Sequence, residues 1–330
     1  MQQPYLMFLG DVQDQLAAKT CDGIVHWRPD WCIGQFRMHG CKADVRLPDL
    51  TLAEGLEKGA KTLVIGIANP GGVLPRHWTD TILVALQLGY DVASGLHDKL
   101  SAIPQLAAAA EKHGRQLFDV RHPSGQFSTG TGAMRPGKRC LAVGTDCSVG
   151  KMYTPLAMEK AMLARGMKAS FRATGQTGIF ISGKGIAVDA VVSDFISGVV
   201  EQICPANDSD HWDMVEGQGS LFHPAFAGVT LGLIHGSQPD ALIPCHEPTR
   251  THMRGLPHQS VPDLRSCMER NLAAARLTNQ EAKFIGISIN TTHMNSADAE
   301  AYLTKLEQQF GLPTVDPVRT GVDRLIDNLS

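Results

Sequence analysis

The sequence predicts an α/β fold of two domains built on mostly parallel sheets, the second of them a P-loop NTPase-like domain. Three observations lead there. The 330 residues exceed the usual size of one compact core. Short apolar runs alternate with stretches of helical spacing along the chain. An apolar run ending at Val143 enters a polar loop that closes on Gly150-Lys151, at the head of a long helical stretch.

Composition narrows the functional classes. Hydrophobic residues make up 43% and charged residues 19%, an ordinary globular balance. Thirty basic against 33 acidic residues leave a formal charge of -3, so no global field draws the chain to nucleic acid or an anionic membrane. No apolar run approaches the ~18 residues a bilayer span needs. The N-terminal stretch lacks a basic flank and its apolar run meets Asp11, a poor secretion signal. Eight dispersed cysteines without a C-x-x-C pair read as reduced thiols, and a cytoplasmic location is expected.

In the first part, residues 6–9, 23–26, 62–68, 90–93 and 117–120 are strand-like. Residues 50–58, 78–88 and 102–113 have the spacing of amphipathic helices. The strand at 62–68 runs into Asn69-Pro-Gly-Gly72, a turn that brings backbone N–H groups close together but lacks the G-x-G-x-x-G pattern. Residues 122–138, rich in Gly, Ser, Thr and Pro and without apolar period, mark the boundary. The expected division is a domain at 1–123, a linker at 124–137 and a P-loop domain at 138–330.

The second part resumes the alternation. Strands are expected at 139–143, 168–173, 212–215, 230–235, 241–244 and 284–290, and helices at 150–165, 187–203, 261–275, 296–310 and 321–329. Ligands of such sheets bind beyond the carboxyl ends of the strands, so the residues following each strand matter most.

The most informative of these is Gly144-Thr-Asp-Cys-Ser-Val-Gly-Lys-Met152. A P-loop curls consecutive N–H groups around an oxyanion, uses Gly for close approach and adds a compact positive charge. Gly144, Thr145, Asp146, Cys147, Ser148, Val149, Gly150, Lys151 and Met152 are therefore the expected cofactor-binding residues. Two features depart from G-x-x-x-x-G-K-[ST]. Thr145 stands where the first Gly is expected, and Met152 replaces the hydroxyl residue that ligates magnesium. Thr154 cannot substitute, because two residues along a helix is a rotation of roughly 200°. The phosphate grip is kept and the metal ligand lost. Asp213 and Glu216, on a strand that ends in a Gly-rich turn, fit the acidic strand that accompanies a P-loop.

Gly144-Thr-Asp-Cys-Ser-Val-Gly-Lys151, Val215-Glu-Gly-Gln-Gly219 and Leu312-Pro-Thr-Val-Asp-Pro-Val-Arg319 together resemble the dethiobiotin-synthetase-like branch of P-loop proteins. With Arg172-Ala-Thr-Gly-Gln-Thr-Gly178, Gly185-Ile-Ala-Val-Asp-Ala-Val-Val-Ser-Asp194 and Ile234-His-Gly-Ser-Gln-Pro-Asp240, the chain more closely resembles the D-glutamate N-acetyltransferase family. Its members place a Rossmann-like domain before the P-loop domain. The resemblance implies transfer of acetyl from acetyl-CoA to D-glutamate. Coenzyme A carries a pyrophosphate and a ribose phosphate, which a P-loop can anchor without cleaving a bond. The alternatives are an ATP/Mg-dependent ligase or kinase of the dethiobiotin synthetase type and a nucleotide-binding regulator without turnover.

Under that resemblance, acetyl transfer needs a neutral amine and oxyanion donors. Glu216 and His235, both expected at strand ends, are candidate bases, and Lys151 a candidate oxyanion donor if it is not occupied by phosphate. D-Glutamate offers two carboxylates, for which arginine is the better bidentate partner. Arg76, Arg172, Arg250 and Arg319 are the candidates. Cys147 as a covalent nucleophile is opposed by its place inside an anion cradle. His235, His246, His252 and His258 match no zinc spacing, so no metal is expected. Self-association is expected for an α/β protein of this kind.

Overall fold

The computed structural model describes residues 1–67, 74–123 and 125–329, and divides into two compact units. The turn at 69–72 lies outside the described residues.

The first unit comprises Met1–Ser124 together with Gly175–Ala190. Its elements run β1 (Tyr5–Gly10), α1 (Lys19–Trp27), β2 (Cys32–Arg37), α2 (Leu52–Glu57), β3 (Thr62–Ile65), α3 (Arg76–Leu88), β4 (Asp91–Ser94), α4 (Pro104–His113) and β5 (Leu117–Asp119). The strands form one parallel sheet in the order β2-β1-β3-β4-β5. Burial on both faces explains why β1, β3 and β4 are buried along their whole length. Local chemistry sets the helix ends. Thr51 and Glu54 form a reciprocal capping box at the start of α2, and Gly89 closes α3 with a positive φ of 114°.

The second unit comprises Gly125–Thr174 and Val191–Ser330. Its order begins β6 (Lys138–Gly144), α5 (Tyr153–Ala164), β7 (Ala169–Arg172). Next comes α6 (Gln176–Ser182), which belongs to the first unit, so the span expected as one P-loop domain is interrupted there. It continues α7 (Ile196–Ile203), β8 (Trp212–Val215), α8 (Ala227–Ser237), β9 (Ala241–His246), β10 (His252–Met253), β11 (Leu256–Ser260) and α9 (Leu264–Arg276). It ends with β12 (Lys283–Phe284), β13 (Ile287–Ile289), α10 (Ser296–Phe310), β14 (Thr314–Val315) and α11 (Asp323–Asp327). The main sheet is parallel, in the order β14-β13-β9-β6-β8-β7, with β12 on β9; β10 and β11 form a separate antiparallel pair. β6 lies between β9 and β8, so the loop after Gly144 opens at the centre of the carboxyl edge.

Several expectations need correction. Residues 23–26 are not a strand but part of α1, whose buried Thr20, Cys21, Gly23 and Ile24 follow helical spacing. Residues 230–235 lie in α8, where Thr230, Leu233, Ile234 and Ser237 are buried at a helical period. That segment is apolar on nearly every side, and period cannot separate helix from strand in such a run. β2 was not expected. The stretch at 187–203 is helical only from Ile196, after two short 3-10 turns. The strand at 284–290 is split in two at Gly286, where an added Cβ would meet Leu325 at 2.2 Å and the Pro313 carbonyl at 2.7 Å.

The expected linker is tied down within the second unit. The Thr131 and Gly132 N–H groups donate to the Glu201 carboxylate, and Arg135 donates to the carbonyls of Cys204 and Gly236. Among the described residues, no helix is long and apolar enough to cross a membrane.

Candidate functional site

The loop between β6 and α5 is a nest built by backbone geometry. Ser148 adopts a φ of 56° and Gly150 one of 110°, and alternating these with ordinary residues turns successive N–H groups to one side. Gly144 leaves no room for a side chain: a Cβ there would sit 2.8 Å from Val149 and 3.1 Å from the Cys245 carbonyl. Thr145, at the place of the first expected Gly, keeps an ordinary backbone. It is fully buried, its N–H donates to the Cys245 carbonyl at 3.1 Å, and its hydroxyl meets His246 Nδ1 at 2.9 Å. Burial pushes the His246 imidazole below its usual range.

Lys151 is buried and donates to the Asp146 carbonyl across the loop. Burial lowers its ammonium pKa, so an anion in the nest would relieve an unfavourable charge. Met152 precedes α5 and offers no hydroxyl. The Thr154 hydroxyl turns away into the core, donating to the Gly150 carbonyl and meeting Ser288 Oγ at 2.7 Å.

β8 supplies the neighbouring wall. Glu216 is 4% exposed and accepts from the Thr174 N–H at 2.8 Å, while its carbonyl accepts from the Thr174 hydroxyl. Gly217 follows because backbone meets backbone there: an added Cβ would lie 1.8 Å from the Ala142 carbonyl and 3.0 Å from Lys151 Cδ.

Arg250, expected as a partner for the D-glutamate carboxylates, is instead committed to the phosphate loop and Glu247, and the hairpin beside it was not expected. Arg250 donates to Asp146 Oδ2 at 2.7 Å and to the carbonyls of Cys147 (2.6 Å) and Ser148 (3.3 Å). In the β10–β11 turn, the Arg254 N–H donates to the same Asp146 oxygen at 2.8 Å, and the Arg254 guanidinium meets Ser148 Oγ. Burial alone would push the Asp146 carboxyl up. The hydrogen bonds from Arg250, Arg254 and Cys147 outweigh it and hold the group below the ordinary carboxylate range. The strands of this hairpin are two and five residues long, too short to give a periodic signal.

Three other candidates sit elsewhere. Arg76 opens α3 in the first unit and is exposed. Arg172 is committed to the buried Asp213 at 2.7 Å, and Arg319 caps a loop by donating to Met294 O, Thr291 O and Ser296 Oγ. His235 is a correction. It lies in the last turn of α8, just before β9 begins, at the amino edge of a parallel sheet. The P-loop opens at the other edge, roughly 20 Å away for a strand as long as β6.

Cys147 is half-buried, and burial raises its thiol pKa despite Lys151, Arg254 and Arg250 nearby. That opposes a nucleophilic thiolate. Asp146, Cys147 and His223 hold ligand atoms all within 4.8 Å of one another, and Asp146 Oδ1 is buried without a hydrogen-bond partner. A metal ion could bridge such a set. Against it, His223 Nδ1 accepts from the Ala225 N–H at 3.2 Å, which leaves Nε2 as the donor to the Arg254 carbonyl at 3.3 Å. Three cations also surround the cluster. The arrangement suits an anion.

Residues 126–326 match the P-loop family described as "Domain of unknown function (DUF1611_C) P-loop domain", and residues 36–123 match "DUF1611_N", a Rossmann-like domain. The chain belongs to the DUF1611 family. A crystal structure of a DUF1611 family protein from Anabaena variabilis ATCC 29413 superimposes with a TM-score of 0.88 at 32% identity, covering 99% of each chain. Two further relatives span the full length. A D-glutamate N-acetyltransferase of Tritonibacter scottomollicae is 55% identical over 330 residues, covering 100% of this chain and 99% of that one. A D-glutamate N-acetyltransferase of a Pseudoalteromonas species is 50% identical over 326 residues, covering 99% and 98%. The Rossmann-like and P-loop halves expected of this DUF1611 chain are thus both present.

Proposed function

We propose that this chain transfers the acetyl group of acetyl-CoA to the amine of D-glutamate, giving N-acetyl-D-glutamate and free coenzyme A. The observation that carries the reading is a full-length match at 55% and 50% identity to two D-glutamate N-acetyltransferases. The site is compatible with it: a nest closed by Lys151 and flanked by two arginines suits a phosphate-bearing cofactor, and Met152 removes the magnesium hydroxyl that phosphoryl transfer uses.

In this reading the nest residues from Gly144 to Lys151 hold a cofactor phosphate and Lys151 supplies the charge. That assignment has a consequence for the chemistry. The pantetheine arm of coenzyme A is about four residue lengths long, so when it is extended its thioester lies about 14 Å from the phosphates. With the arm extended, Lys151 does not also touch the reacting carbonyl. The neutral amine nitrogen bonds to that carbon, the carbon–sulfur bond breaks, and the proton the nitrogen gives up ends on the leaving thiolate as free coenzyme A, all at arm's length from the nest. Free thiols at all eight cysteines are in keeping with a cytoplasmic, reducing compartment, and self-association belongs to the same reading.

The direct test incubates the purified chain with acetyl-CoA and a panel of D- and L-amino acids and follows thiol release. Release confined to D-glutamate, without ATP, is expected. No release across the panel, with magnesium-dependent ADP formation instead, would overturn the proposal.

A further inference from the structure

The P-loop is met by three cations, and their partners differ. Lys151 is buried in the loop and bonded to the Asp146 carbonyl. Arg250 is balanced by Asp146 at 2.7 Å and Glu247 at 3.3 Å. Arg254 has no carboxylate partner among the described residues. Its guanidinium meets the Ser148 hydroxyl, on the loop residue that takes a left-handed conformation.

Arg254 is nevertheless held firmly in place. Its N–H donates to the fully buried Asp146 carboxylate, and its carbonyl faces His223 Nε2 at 3.3 Å. The hairpin is tied down further by Gln259, which donates to the Phe222 carbonyl at 3.1 Å, and by Met253, which is fully buried. Gly255, with a φ of 78°, lets the chain reverse directly after the arginine. An acid of the P-loop itself therefore positions a cation beside the nest, and among the described residues no acid pairs with that cation's side chain. Arg254 is itself exposed, so this anchoring presents its guanidinium to a ligand arriving from solvent.

We propose that Arg254 binds a second phosphoryl group of the cofactor, next to the one held by the nest. The ligand class is one with at least two phosphoryl groups within reach of one another. This rests on acetyl-CoA as the donor, where two groups qualify: the other half of the diphosphate and the ribose 3′-phosphate. Arginine suits either through its planar pair of donors.

The test compares wild type, Arg254→Gln and Arg254→Lys with acetyl-CoA and with 3′-dephospho-acetyl-CoA, by KM, kcat and calorimetric affinity. With acetyl-CoA, Arg254→Gln is expected to raise KM about 10- to 100-fold, the loss of one charge-assisted pair. Its kcat should stay within about twofold and its melting temperature should match wild type. Arg254→Lys should recover part of the affinity. A loss seen only with acetyl-CoA assigns the 3′-phosphate, a loss with both donors assigns the diphosphate, and either supports the proposal. Equal affinities of wild type and Arg254→Gln for both donors would overturn it. If wild type releases no thiol at all, the acetyl-transfer reading fails by itself. Binding of coenzyme A by calorimetry then still decides the arginine, with weaker binding in the variant upholding it and equal binding refuting it.

Discussion

Arg250 and Asp146 are joined at 2.7 Å across 104 residues of sequence, and this pair fastens the β10–β11 hairpin to the phosphate loop. Asp146 is fully buried and its Oδ2 also accepts from the Arg254 N–H, so one carboxylate oxygen organises both arginines. An acid inside a phosphate nest would repel the ligand if it stood alone. Paired with Arg250, it becomes a positioning group.

Asp146→Asn keeps the shape and removes the charge, leaving Arg250 with Glu247 alone. Chemical denaturation should show a loss of about 1–3 kcal/mol, less than removal of the side chain would cost because the amide oxygen still accepts. The pH dependence follows from the sign of the shift. The folded carboxyl lies below its unfolded value, so its contribution is present above the unfolded pKa of about 4 and fades as pH falls through the lower, folded value. Wild type should therefore lose stability below about pH 4 more steeply than Asp146→Asn. Parallel stability profiles for the two would contradict this.

Lys151→Met separates stability from binding. Burial penalises the ammonium in the unliganded fold, so the variant should melt at the same or a higher temperature without cofactor. Its affinity for coenzyme A should fall by about 2 kcal/mol or more, the value of a charge-assisted contact. A variant that melts lower and binds as well as wild type would reverse both halves of the account.

Gly217→Ala tests the close approach of β8 to β6. The new Cβ would meet the Ala142 carbonyl at 1.8 Å, a contact only backbone movement can relieve. A loss of about 3 kcal/mol is expected, with weakened cofactor binding as the adjoining Lys151 shifts. Near-wild-type melting would mean that the strands are less tightly apposed than described.

His235→Gln should leave kcat and KM within about twofold of wild type, because its helix turn lies at the edge of the sheet away from the nest. A loss of turnover with intact folding, measured by steady-state kinetics and circular dichroism, would restore the histidine to the chemistry.

The parts of the fold legible in the sequence were those with clear boundaries, set by short apolar runs or by glycines at their ends. β1, β6 and β8 stand at the expected places because their apolar runs are short and bounded, and α5 because Gly150 and Gly166 mark its two ends. α8 differs because it is apolar on nearly every side, so period does not separate helix from strand there, whereas in α1 the short run at 23–26 hides a helical spacing that begins at Thr20. That one error at α8 also placed His235 at the wrong edge. The nest was legible because its geometry is local, fixed by Gly144, Gly150 and Lys151 within eight residues. Arg254 was not, since it reaches the loop through tertiary contact with Asp146, 108 residues away, from strands too short to announce themselves. Arg172 and Arg319 look alike as letters, and only their partners reveal structural duties.

The most direct measurement is a crystal structure of the chain with coenzyme A. The account predicts a phosphate group within hydrogen-bonding distance of the backbone N–H groups between Cys147 and Lys151, with the Lys151 ammonium turned from the Asp146 carbonyl toward it. A well-ordered cofactor whose phosphates all lie more than about 10 Å from that loop, well outside hydrogen-bonding range, would contradict it.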